Sequence, residues 1–227
     1  MLEVVVDSRR VTLKENYVSD RSVIWQAVHE ERRRLVSDLE GITLEQWQTP
    51  SLCPGWSVHD VVAHLIDSAV TTRLGFVRQM VTARFDFDRA NDDGVAKHKA
   101  IEPVETLDAF RTVVNRTDRP PGPLATRLVE AYVHGEDIRR PLGIHGDYPG
   151  EHVMTALEHM ARTGAGFGGG KERVRGLRLS PLPLGQAIGK GPDGRGNASA
   201  WLLAAAGRPT GSEELTGDGA QVLAARA

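Results

Sequence analysis

The chain has 227 residues, of which 40% are hydrophobic and 26% charged, the size and balance of one large globular domain or of a domain with an appendage. A formal net charge of −2 gives no electrostatic case for nucleic acid or an anionic membrane surface. A single cysteine, Cys53, forbids an intrachain disulfide and fits a reducing cytoplasm; no apolar run of about 18 residues marks a membrane span.

Residues 1–19 read as an N-terminal arm. Leu2 to Val6 and Val11 to Leu13 can be taken there as short strands, but Met1 to Arg10 lacks the basic start and long apolar stretch of a signal peptide. From Asp20, a capping residue, Val23, Ile24, Ala27, Val28, Leu35 and Leu39 recur at helical spacing, and Gly41 stops the run. Residues 43–57 are turn-rich. Ser57 caps a second helix that carries Val61, Val62, Leu65, Ile66, Ala69 and Val70 towards Met80. Residues 82–103 are polar and irregular, with a turn expected at Asn91-Asp92-Asp93-Gly94. Glu105 to Arg116 reads as a third long helix and Leu124 to Arg140 as a fourth, closed by Pro141 and Gly143. A fifth runs from Glu151 to Thr163. The glycine cluster at 164–170 reads as a flexible linker and the best domain boundary, because it lacks the Gly-Lys-Ser/Thr ending of a phosphate loop. Beyond it the character changes: a strand over 174–179, a partner strand within 182–188, and helices over 197–207 and 220–227.

Two of these helices carry chemistry. Glu130 and His134 are four residues apart, so both side chains lie on one helical face, one turn apart. A carboxylate and an imidazole so placed can share a metal ion. Their flanks, Leu128, Val129, Ala131, Tyr132 and Val133, turn Glu130 inward, where an unpaired carboxylate is costly. His64 sits in the apolar run Val61-Val62-Ala63-His64-Leu65-Ile66 and supplies a third donor. Three ligands leave a coordination position open, the pattern of a catalytic site rather than a structural one. Asp137, three residues after His134, can orient the second ring nitrogen of that histidine, or pair with Arg140, or help to end the helix. Arg73, Arg78 and Arg84 read as solvated arginines. Cys53, in a turn with no neighbouring base, reads as a packed thiol.

Three stretches resemble the mycothiol-dependent maleylpyruvate isomerase family, within the DinB-like group of metal-binding bundles. They are Cys53-Pro54-Gly55-Trp56 running into the His64 helix, Glu130 to Gly143, and the tail with Gly176-Leu177-Arg178-Leu179 and Leu215-Thr216-Gly217-Asp218-Gly219. The resemblance spans about residues 20–225. It implies a mainly α fold: a DinB-like up-and-down four-helix bundle over residues 20–165, followed by a small α+β portion over 172–227. It also implies the metal ligands His64, Glu130 and His134. Zinc is the default ion for two imidazoles and a carboxylate, with nickel, iron and manganese as alternatives. The cosubstrate would be mycothiol or a similar thiol, and the activity isomerisation of, or thiol transfer to, a small electrophile such as a conjugated enoyl acid. A monomer or homodimer in the cytoplasm is expected. The Ser180-Pro181-Leu182-Pro183 stretch departs from the family, which often has an acidic residue and a tryptophan there. Two other readings compete: a metal-dependent hydrolase, and a non-enzymatic binding module with a structural metal. The sequence offers no His-Glu-x-x-His arrangement to supply a hydrolytic base.

Overall fold

Asp20 opens the first helix, its side chain accepting the Ser22 N–H at 2.7 Å and so satisfying an amide with no carbonyl behind it. In the computed structural model residues 20–211 and 213–226 are described, so the arm expected over residues 1–19 lies outside the described residues. Helix α1 is Arg21–Leu39, α2 the single turn Leu44–Trp47, α3 Val58–Val70, α4 Arg73–Thr82, α5 Phe87–His98, α6 Pro103–Val113, α7 Thr126–Arg139 and α8 Gly150–Arg162. The C-terminal portion follows as α9 Lys171–Val174, β1 Arg178–Leu182, β2 Ile188–Gly189, β3 Asp193–Asn197, α10 Ala198–Ala205, β4 Leu215–Thr216 and α11 Asp218–Ala224.

Four helices make the bundle. α1 packs on α7 and α6, and α3 packs on α6 and α7, so α1 and α3 lie across its diagonal. α5 covers the outside of α3, while α8 backs α7 and joins it to α10. The sheet order is β2-β1-β3-β4. β1 and β3 run parallel from Arg178↔Asp193 to Leu182↔Asn197, and both outer pairs are antiparallel. The fold is thus mainly α, a four-helix bundle with a small α+β portion after it.

Two apolar clusters fix α7. Leu128 and Tyr132 enter one with Val28, Leu157 and Trp201; Ile138 enters the other with Leu35, Val62 and Phe110. Leu128 and Ile138 are fully buried, and each such aliphatic side chain stabilises by roughly 1.5–3 kcal/mol. The helix is held on both sides, and Glu130 and His134 sit on the stripe between them.

The structure corrects four local expectations. Residues 87–98 form α5, so Asn91-Asp92-Asp93-Gly94 is not a turn. Asp86 caps that helix by accepting the Arg89 N–H at 3.1 Å, and a Cβ on Gly94 would come within 2.6 Å of Asp67 Oδ2. This glycine serves the close approach of α5 to α3. The helix read from Ser57 to Met80 breaks at Thr71-Thr72, because the Thr72 side chain caps a new helix by accepting the Gly75 N–H. The glycine cluster is not a flexible linker: a Cβ on Gly170 would strike the Ala205 carbonyl, so the chain is packed tightly against α10 there. Finally, residues 171–174 are helical, the strand starts at Arg178, and β3 (Asp-Gly-Arg-Gly-Asn) has no apolar residue to announce it.

Candidate active site

The capping box at the head of α3 sets the direction of the His64 helix. Ser57 accepts the Asp60 N–H, and the Asp60 carboxylate accepts the Ser57 N–H in return. Two turns on, His64 meets α7. Its ring lies 4.9 Å from that of His134, edge to face, and 5.1 Å from the indole of Trp56. Burial, then the charge of His134, pull the His64 imidazole down to about 3, so it is neutral at physiological pH. Its Nδ1 is buried without a hydrogen-bond partner among the described residues.

His134 is oriented from behind. Its Nδ1 lies 2.9 Å from Asp137 Oδ2, which places a proton on Nδ1 and leaves Nε2 as the nitrogen open to a ligand. The expectation for Asp137 left three roles open. The structure pairs it with His134 and with Arg208, whose Nε donates to Oδ1 at 2.7 Å and whose Nη2 donates to Oδ2 at 2.9 Å. Arg140 turns instead to Glu136 and Glu214. Burial raises the Asp137 carboxyl, but the hydrogen bonds from His134 and Arg208 outweigh it and hold the group below the usual carboxylate range. The sequence reading missed Arg208, which follows α10 some seventy residues after its partner. Only the packing of α10 on α7 joins the two.

Glu130 is the third candidate ligand. Ser68, one turn beyond His64 on α3, donates to its Oε2, and Arg127 Nη1 lies 2.8 Å from the same oxygen. Arg127 also donates to Ser68 Oγ at 2.9 Å. Burial pushes the Glu130 carboxyl up, while the charges of Arg127, Arg32 and His64 more than offset it, and the group is held below its ordinary value. Arg127 was another omission of the sequence reading, although its i,i+3 spacing to Glu130 signals such a pair.

Among the described residues no three His, Cys, Asp or Glu side chains stand close enough together to enclose a metal ion as they are placed. The donor chemistry nevertheless suits one. His64 Nδ1 is an orphaned buried nitrogen, Asp137 frees His134 Nε2, and Glu130 Oε1 takes no hydrogen bond among the described residues while Oε2 is occupied. Cys53 donates nothing here: burial raises its thiol. Arg73, Arg78 and Arg84 are not part of this cluster.

With the geometry in view, the comparisons divide the chain. Residues 28–122 match the family model described as the mycothiol maleylpyruvate isomerase N-terminal domain. The matched stretch contains His64 and ends before Glu130 and His134. Two solved structures are similar over 86% of this chain and 90% of their own: a mycothiol-dependent maleylpyruvate isomerase, 16% identical with a TM-score of 0.58, and a histidine-to-alanine mutant of a mycothiol-dependent maleylpyruvate isomerase, 17% identical with a TM-score of 0.59. They share the fold of this chain. No curated protein matches, and no helix among the described residues is long and apolar enough to cross a membrane.

Proposed function

We propose that the protein is a metal- and thiol-dependent isomerase or S-transferase, which uses a low-molecular-weight thiol of the mycothiol type on a small electrophile such as a conjugated enoyl acid. The observation that carries this reading is the meeting of His64 and His134, from two different helices, in a chain whose residues 28–122 match the mycothiol maleylpyruvate isomerase N-terminal domain model. His64, Glu130 and His134 would hold one divalent ion, with zinc favoured by the donor set. Such an ion supplies the positive charge that stabilises a thiolate at neutral pH.

The chain's own residues prepare the site for that chemistry. Asp137 keeps the His134 proton on Nδ1. Arg208 holds Asp137 in place, so the C-terminal portion takes part in orienting a residue of the bundle. Arg127 and Ser68 fix the rotamer of Glu130 and leave Oε1 for a ligand. Trp56 packs against His64 with its ring tilted, and the burial of His64 strengthens each charge interaction there. A thiolate generated there would add to the double bond of an enoyl acid; rotation and elimination would return the thiol and give the trans isomer. Displacement of a leaving group would instead retain the sulfur in the product.

Elemental analysis of the purified protein and a thiol-consumption assay test this. Turnover should need added thiol and metal together, and His134→Ala should lower metal content well below one equivalent. Hydrolysis of ester or amide panels by the metal-loaded protein with no thiol present would overturn the reading and move the protein to the metallohydrolases.

A further inference from the structure

A cavity of about 930 Å³ opens in the C-terminal portion, between the end of α10, the loop 207–211 and α11. Of its lining, only Arg208 serves the thiol site, through Asp137. Three arginines line it, Arg173, Arg208 and Arg226, and among the described residues no aspartate or glutamate does. Its remaining wall is largely small and apolar, including Ala204, Leu215, Ala220 and Leu223.

The three cations are not equivalent. Arg208 is spent on Asp137 through two hydrogen bonds. Arg173 and Arg226 have no carboxylate partner among the described residues and are fixed by backbone carbonyls instead. Arg173 Nη1 donates to Gly169 O at 3.3 Å and Ala205 O at 3.2 Å, and its guanidinium lies flat on Gly207, 2.9 Å from where a Cβ would stand. Arg226 Nη1 donates to Arg173 O at 2.7 Å and Arg175 O at 2.9 Å. Each guanidinium is therefore held in position by one Nη1 and keeps its remaining donors for another acceptor. Two positioned, uncompensated cations beside an apolar wall form a site for a ligand with an anionic head and a hydrocarbon body, and the volume is that of small-molecule sites.

We propose that this cavity binds an amphipathic anion, its carboxylate or phosphate head on Arg173 and Arg226 and its chain against Leu215, Ala220 and Leu223. The site shares only Arg208 with the thiol site and stands whether or not that function holds.

Calorimetric titration of the whole protein with decanoate, decyl phosphate, decanol and inorganic phosphate tests it. One saturable site is expected for decanoate or decyl phosphate, and the tighter of the two identifies the headgroup. Decanol, and the Arg173→Gln/Arg226→Gln double variant with either anion, should bind at least tenfold more weakly. Ala220→Trp keeps every arginine and fills the cavity, so it should abolish binding even if the double variant does not fold. The proposal fails if neither amphiphile saturates, if decanol binds equally well, if inorganic phosphate binds as tightly as the amphiphiles, or if either variant retains full affinity.

Discussion

Helix α7 carries two ionic networks made of the same residue types, and they are finished differently. Around Glu136, Arg139 and Arg140 the charged groups are capped by one another. Arg139 spans Glu31, Asp38 and the Tyr148 hydroxyl. Tyr148 donates to Glu136 Oε1 at 2.7 Å, Arg140 Nε donates to Oε2 at 2.7 Å, and the other end of Arg140 grips both oxygens of Glu214. Around Glu130 and His134 the supporting bonds stop short, leaving His64 Nδ1, His134 Nε2 and Glu130 Oε1 unused. A saturated network stabilises one arrangement. An incomplete buried one costs stability, and a ligand repays that cost.

The sharpest way to break this contrast is at Arg139. Arg139→Met strands Glu31 and Asp38, and removing one member of a buried ion network costs about 3–5 kcal/mol. Urea denaturation should show that loss while thiol turnover per folded molecule stays unchanged. Full stability in this variant would erase the distinction between the two networks.

A pH series sharpens it. Burial pushes the Glu31 carboxyl up to about 7, against the pull of Arg139, because one guanidinium serves two carboxylates. The folded state thus holds this proton more tightly than the unfolded chain. The contribution of Glu31 to stability is full below the unfolded value of 4.5 and is lost as pH rises through about 7. The loss is about 3 kcal/mol at most. The difference in unfolding free energy between wild type and Glu31→Gln should fall across that window. A difference that stays flat with pH would show that Glu31 is ionised throughout.

On the other network, Asp137→Asn preserves shape but removes the charge that Arg208 and His134 share. Loss of such a supporting carboxylate costs roughly 10–100-fold in metal affinity or activity. Metal titration and turnover should both register it. Unchanged values would place Asp137 outside the working site. The smallest effect belongs to Cys53→Ser. The half-buried, raised thiol makes no hydrogen bond to either network, so turnover should stay within about twofold and stability within about 1 kcal/mol. A thousandfold fall in turnover by a folded variant would make Cys53 a reacting group.

Much of this molecule was legible in its chain. The 3.6-residue period of Ile24, Val28, Leu35 and Leu39, the caps at Asp20 and Ser57, and the stop at Pro141-Leu142-Gly143 depend on neighbours within a turn or two, and the helices appeared where those signals lie. The i,i+4 spacing of Glu130 and His134 placed them on one face for the same reason. α5 was misread because Gly94 looked like punctuation; its purpose, room for Asp67, lies on another helix. β3 was invisible because a strand held by its ladder with β1 needs no apolar alternation.

Local spacing along the chain therefore determined the four helices of the bundle, their order and the three candidate donors, since each is set by interactions within a few residues. Tertiary structure decided which atoms remain free. The pairing of Arg127 and Ser68 with one oxygen of Glu130, and the reach of Arg208 across to Asp137, depend on how α3, α7 and α10 pack. Helix packing brings together residues that are distant in sequence, and a buried charge takes its state from such neighbours.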